Sequence, residues 1–472
     1  MVQTKSKLLK NLSANTLQLI INQLAGLIIF YIISRGLDKD SFGEINLAFA
    51  LMLAVVNILS FGIDQIAVRK LASGENPQSI LPVYLFHVLV TGFAFYLLLF
   101  LGQYLFTAFS AYDVILFIGA GKLMIYFSTP FKQSAIGLER FKLLAGMSVV
   151  SNLVRAIALM TLAFLHQITL TSVLIVFVGG DVLELIIGTC LFTLNTPFPI
   201  SIRWDKIRYI DLIKESLPQF GVTIITSALA RFDWIFIGLV LSAVKLAEYS
   251  FAYKVFELST MPLLAIAPLL IPLFTRLFKD GNQPDMEKLK SLARIEMVIA
   301  AFTVVIINVC WAPAIDHITN GKYGVVNVHT IFILTLCIPL QYLTNFLWTI
   351  NFAKGRLRMI FHAFVITLVV NVIGDLILIP IFKNEGAAFA YLVGYAAQTA
   401  FYIYKNDLPA LNKVLYPCII CTACACVSFW GARLLFANVW MAAGASTLVY
   451  IVLLLITKQL KFGDKDKLVS PA

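Results

Sequence analysis

Charge is what this chain has least of. Only 13% of its 472 residues are Asp, Glu, Lys or Arg, and 60% are hydrophobic. Soluble domains carry about 25% charged and roughly 45–50% apolar residues. A water-soluble fold is excluded, because so much apolar surface could not be hidden from solvent. Histidine is scarce as well. His87, His166, His317, His329 and His362 form no i, i+4 pair and no His-x-Glu, so no metal site is expected. There is no Walker sequence and no Gly-x-Ser-x-Gly elbow, which argues against ATP hydrolysis and against an enzyme. The longest external loop, near 313–326, is too short for a catalytic domain. The seven cysteines (Cys190, Cys310, Cys337, Cys418, Cys421, Cys424, Cys426) all lie in apolar stretches, so no disulfide-stapled domain is implied. The last four resemble a cluster-binding run. On one helix at about 100° per residue their thiols would scatter around the axis. The N-terminus lacks a short apolar core followed by a cleavage site. It reads as a basic cytoplasmic tail entering a retained first span.

What is present is long apolar runs. They cover roughly 13–34, 42–63, 80–106, 111–127, 142–165, 169–193, 216–241, 246–274, 295–312, 327–352, 359–381, 386–404, 414–432 and 438–457. A spanning helix needs about 20 residues. Lipid offers no partner to an open strand edge, and a barrel would alternate apolar with polar residues. The expected fold is an all-α integral membrane protein with about 14 transmembrane helices. The formal net charge of +11 would suggest nucleic acid in a soluble protein. Here it reports topology. External loops hold only Arg35, Lys39, Lys245, Lys322, Lys383 and Arg433, and four cations lie inside spans. The rest of the 36 Lys and Arg, Lys132 among them, fall on the side of the N-terminus. Both termini are therefore placed in the cytoplasm, and no nucleic-acid partner is expected.

The basic, Pro-containing segment 194–215 divides six spans (1–193) from six more (216–404). It reads as an amphipathic linker on the membrane surface or as a plain loop. An internal echo joins the halves: Gly43-Glu44-Ile45-Asn46-Leu47-Ala48 opens the second span and Ala247-Glu248-Tyr249-Ser250-Phe251-Ala252 the eighth. Paired bundles of this kind are a transporter plan. The last two spans and basic tail (405–472) have no counterpart. The eighth span carries Pro262, Pro268 and Pro272, so kinks are expected there, for gating or to absorb excess length.

Charges at bilayer depth are costly and point to function. The cations are Lys122, Arg155, Arg231 and Lys254, read as binding groups for an anionic headgroup. Lys254 and Glu257 are i, i+3 and can pair. Asp181 and Glu184 share that spacing, and their repulsion favours uptake of a proton or Na⁺. Asp233 and Asp375 complete the acids read as ion-coupling or charge-balancing. The competing reading for each is a helix-to-helix salt bridge. Asp64 and Glu296 lie near span ends and read as interfacial.

The chain also resembles a known family. The resembling residues are Ser34-Arg35-Gly36-Leu37, Phe42 to Ala48, Phe61-Gly62-Ile63 before Arg69, and Gly137-Leu138-Glu139-Arg140-Phe141-Lys142. In the second half they are Asp233-Trp234-Ile235-Phe236-Ile237-Gly238, Glu248-Tyr249-Ser250, and Leu378-Ile379-Pro380 with Gly386-Ala387-Ala388. Their order is similar to that of the polysaccharide transporters, of O-antigen flippase type, in the multidrug/oligosaccharidyl-lipid/polysaccharide exporter superfamily. The resemblance implies two pseudo-repeated six-helix bundles in a V shape plus two extra C-terminal helices, in a bacterial inner membrane. It implies movement of undecaprenyl-diphosphate-linked oligosaccharide, such as an O-antigen unit for lipopolysaccharide, to the outer leaflet by alternating access. No cofactor is implied beyond coupling H⁺ or Na⁺. The partners implied are the lipid-linked substrate and membrane lipid, with a polysaccharide polymerase or chain-length proteins as further candidates. The alternatives are a multidrug/cation antiporter and a lipid II flippase of the same superfamily.

Overall fold

In lipid, a helix satisfies its own backbone hydrogen bonds, and the apolar runs take that solution. The computed structural model describes residues 5–197, 200–263, 270, 274, 286–406 and 414–460, with side chains at these positions except 5–17, 19 and 288. Fourteen α-helices and no strand occur among the described residues. The chain divides into two compact units, Met1–Gly238 and Leu239–Ala472.

The first unit holds α1 (Lys5–Gly36), α2 (Lys39–Ser60), α3 (Ile63–Ala72), α4 (Pro77–Gly102), α5 (Tyr112–Gly137), α6 (Phe141–Phe164) and α7 (Leu170–Asn195). It also holds α8 (Lys206–Val240) up to Gly238. Polar residues start the helices where the sequence supplies them. Asp38 caps α2 by accepting from Ser41 N at 2.7 Å. Asn76 caps α4 ahead of Pro77, a residue with no N–H to satisfy. Thr169 and Ser172 form a reciprocal capping box on α7. α5 is central, packing against α2, α3, α4, α6 and α7, and α1 lies along α6.

Three boundaries differ from the sequence reading. The second span was expected to run to 63, but α2 ends at Ser60. Phe61 (φ 51°) and Gly62 (φ 73°) take the left-handed conformation, and the short α3 follows. The freed Leu59 carbonyl accepts from His87 Nε2 at 2.8 Å. The fourth span was ended at 127, yet α5 continues through Pro130 to Gly137. Within the bilayer, neighbouring helices compensate the hydrogen bond that proline removes. Residues 206–215, read as part of a linker, form the first turns of α8, which runs on into the seventh span despite Pro218.

The second unit holds α9 (Ala243–Ser259), α10 (Met286–Thr319), α11 (Val328–Ala353), α12 (Leu357–Tyr404), α13 (Leu415–Leu435) and α14 (Val439–Ile456). α12 is two helices joined at Lys383 (φ 54°, ψ −128°), where two spans were expected. α9 stops at Ser259, just before Pro262. Pro268 and Pro272 lie outside the described residues. The external loop expected near 313–326 is shorter, because α10 extends to Thr319. Asp316 ties the loop back, accepting from Gly324 N at 2.6 Å and Val325 N at 3.0 Å. α11 packs on α9, α10 and α12, while α13 and α14 pack on α10 and on each other.

Among the described residues, eleven helices are long and apolar enough to cross a membrane. Counting both halves of α12 and the apolar stretch Ile20–Gly36 of α1 gives thirteen, and α9, with 17 residues, stands where the eighth of the fourteen expected spans begins.

Candidate functional site

Five charged residues of the first unit converge where α5, α6 and α7 meet. Lys122 on α5 lies 3.3 Å from Asp181 Oδ2 on α7. Arg155 on α6 pairs with Asp181 Oδ1, and Lys132 on α5 pairs with Glu184 on α7. Arg155 Nη1 also donates to Asn152 Oδ1 at 3.2 Å. Asn152 Nδ2 in turn donates to Asn22 Oδ1 on α1 at 3.1 Å. Four helices are thereby joined by one polar chain.

Small residues make room for it. A Cβ at Gly121 would stand 2.5 Å from Asp181 Oδ2, and one at Gly180 would stand 2.8 Å from Arg155 Cγ and Nε. Aromatic rings cover the cations. Phe49 of α2 lies under Lys122 at 5.1 Å, and Phe177 of α7 under Arg155 at 5.6 Å. The two rings meet edge to face at 5.0 Å. Such ring faces attract a desolvated cation.

The exposure is asymmetric. The Asp181 and Glu184 side chains are 2% and 6% exposed, whereas those of Lys122 and Lys132 keep 24% and 17%. The acids sit behind and the ammonium groups in front. Three cations against two carboxylates leave one positive charge in excess. The group can therefore meet an anion while its own acids hold the cations in place.

Lys122, Arg155, Asp181 and Glu184 are thus brought together. Asp181 and Glu184 do not stand as an isolated acidic pair, since each has cationic partners. Arg231 and Asp233 sit on α8. The Arg231 guanidinium lies 4.4 Å from the Trp234 ring and donates to the Ala230 carbonyl at 2.9 Å. Asp233 accepts from Trp234 N at 2.8 Å. In the second unit Lys254 and Glu257 pair at 2.7 Å along one face of α9, and Asp375 is fully buried on α12. Lys132 was missed. The sequence reading ends the fourth span at 127 and leaves Lys132 on the cytoplasmic side, whereas α5 runs on to Gly137 and carries Lys132 with it. Among the described residues no group of three His, Cys, Asp or Glu side chains is placed to hold a metal ion.

The long apolar helices define a polytopic membrane protein. The chain belongs to the polysaccharide biosynthesis protein family, whose model matches residues 8–278, more than half of its length. Its fold is that of the lipid II flippase MurJ in an inward closed conformation. The TM-score is 0.73 at 14% identity, covering 94% of this chain and 98% of that one. An inward-facing multidrug resistance MATE family transporter of the MOP superfamily matches at TM-score 0.60 and 13% identity, over 85% and 98%. A MOP superfamily transporter from Pyrococcus furiosus, described as having a binding pocket of reversed polarity, matches at 0.54 and 13%, over 88% and 99%. A sequence search of curated proteins finds no match.

Proposed function

We propose that the protein is a flippase. It moves an undecaprenyl-diphosphate-linked oligosaccharide, such as an O-antigen unit, from the cytoplasmic to the outer leaflet of a bacterial inner membrane. Alternating access between two six-helix bundles, 1–193 and 216–404, joined by 194–215, carries the substrate, and an H⁺ or Na⁺ gradient drives it. The added helices of 405–472 complete the second half, and both termini face the cytoplasm. The protein does no covalent chemistry.

The observation that carries this reading is the Lys122–Lys132–Arg155 group, with its acids behind and its ammonium groups in front. A diphosphate esterified at both ends is a dianion, which suits the two ammonium groups in front, while Arg155, 7% exposed, holds its place beside Asp181. Arg231 and Lys254 are proposed as further contacts. Asp181, Glu184, Asp233, Glu257 and Asp375 are proposed to balance charge or bind the coupling ion. Membership of a polysaccharide biosynthesis family supports the sugar-bearing substrate. An excess of positive charge disfavours a cation antiporter.

Deleting the gene and measuring the sidedness of lipid-linked glycan tests the proposal. Accumulation on the cytoplasmic face, reversed by the wild-type gene and not by Arg155→Ala, is the expected result. Normal glycan with altered drug sensitivity overturns it in favour of the antiporter. Loss of cell-wall precursor export, with surface glycan intact, would place the protein with lipid II flippases instead.

A further inference from the structure

Several buried acids of the spans meet a cation. Asp181 meets Lys122 and Arg155, Glu184 meets Lys132, and Glu248 meets Lys245 at 2.7 Å. Glu296 on α10 does not. The residue is 4% exposed, and among the described residues neither carboxylate oxygen has a hydrogen-bond partner. It joins no ion pair among the described residues. The sequence placed it at a membrane interface, where water would solvate it. The fold instead packs its helix against α11, α13 and α14.

The surroundings decide its charge state. From α11, the fully buried Tyr342 stands close enough for Glu296 to act on its hydroxyl electrostatically, and that hydroxyl lies beside the Leu263 backbone. On α10, Arg294 acts on Cys421 of α13. From α14, Tyr450 donates to the Val298 carbonyl at 3.0 Å. Among the described residues, no charged side chain is one of the groups that act on Glu296. An ionised carboxylate here would surrender its hydration and gain neither a donor nor a cation. The neutral acid is the form this site tolerates.

We infer that Glu296 is a proton-binding site of the second unit, and that the proton it carries is the ion that drives transport. The second half of this statement rests on the flippase reading; the first does not. The step is a proton transfer alone. A proton from water bonds to one carboxylate oxygen and cancels its charge, and it returns to water when the acid is hydrated. A proton is favoured over a metal ion because hard cations gather about six oxygens. Glu296 has no second acid beside it in any metal-holding group among the described residues. A proton bound in a dry seam leaves only when α10 and α11 part enough to admit water. Occupancy and conformation are thereby linked, and a gradient that biases one biases the other.

Two readouts test this on the full-length protein. In infrared difference spectra at neutral pH, wild type shows the carbonyl stretch of a protonated carboxyl, and Glu296→Gln lacks that band. Identical spectra would overturn the proton site. In proteoliposomes, a fluorescent undecaprenyl-diphosphate disaccharide serves as the probe. Wild-type movement accelerates under an imposed pH gradient. Glu296→Gln, a neutral isostere that melts no lower than wild type, loses that response. A variant that keeps the response, or a wild type driven by a Na⁺ gradient alone, overturns the coupling role. If wild type moves no probe under any gradient, the flippase reading falls and with it the coupling role. The infrared band then still decides whether Glu296 binds a proton.

Discussion

At the scale of single residues, the α5–α7 ion pairs carry two jobs that mutation can separate. Removing one partner of a buried pair leaves the other charge stranded, typically at about 3–5 kcal/mol. Lys132→Ala should therefore lower the melting temperature of the purified protein sharply, by stranding Glu184. Lys132→Ala with Glu184→Ala removes both charges and should recover most of that stability. Export should stay lost in the double variant if Lys132 meets the substrate. Recovery of export together with stability would reduce the pair to packing. Asp64 offers a second test, outside the spans. It sits in the first turn of α3, where Tyr84 donates to it, and burial pushes its carboxyl up to about 6 from the usual 3.8. The folded state thus holds this proton more tightly than the unfolded chain does. Wild type should gain stability relative to Asp64→Asn as pH falls through about 6, with the gain complete below about 4. Melting curves across that range check the sign. A difference that grows with rising pH would mean that Asp64 is paired as an anion.

At the scale of elements, the break between α2 and α3 positions α8. A Cβ on Gly62 would stand 2.8 Å from the Phe220 backbone nitrogen, and Phe61 stacks on Phe220 at 4.2 Å. Asn57 donates to Ser227 at 2.8 Å on one side of the break. Arg69 and Lys70 meet Glu215 at 2.6 and 2.9 Å on the other. Gly62→Ala therefore combines an unfavourable φ with a backbone collision, whereas Gly74→Ala, at φ 94° with open space around it, carries the conformational cost alone. That cost is about 1–3 kcal/mol, so Gly62→Ala should lower the melting temperature well beyond Gly74→Ala. Equal losses would show that α8 yields without resistance. The same break illustrates what the sequence did and did not disclose. Phe61-Gly62-Ile63 was visible as a motif, but not as a helix end, because the apolar run passes through it unbroken. The spans themselves were legible, since continuous apolar stretches have no other home. Lys132 was not, because whether a lysine at a span end turns inward depends on Glu184, which lies on another helix and far away in sequence.

At the scale of the whole molecule, the net charge of +11 becomes an orientation, and α9 is its weakest link. With 17 residues before the interruption at Thr260, α9 falls short of the length a span requires. The charge alternation nevertheless needs a crossing between the external Lys245 and the basic stretch after 274. Loop positions on either side decide the matter. In a cysteine-free background, Thr107→Cys and Lys322→Cys should react with a membrane-impermeant maleimide in intact cells. Ser73→Cys, Gly355→Cys and Asn406→Cys should react only after permeabilisation. Uniform inversion would reverse the orientation and the direction of export with it. If Ser73 and Thr107 keep their sides while Lys322, Gly355 and Asn406 all exchange theirs, α9 does not cross. The polypeptide would then have thirteen crossings and its two ends on opposite faces. The expected pattern instead requires the eighth crossing to be finished by residues beyond Ser259.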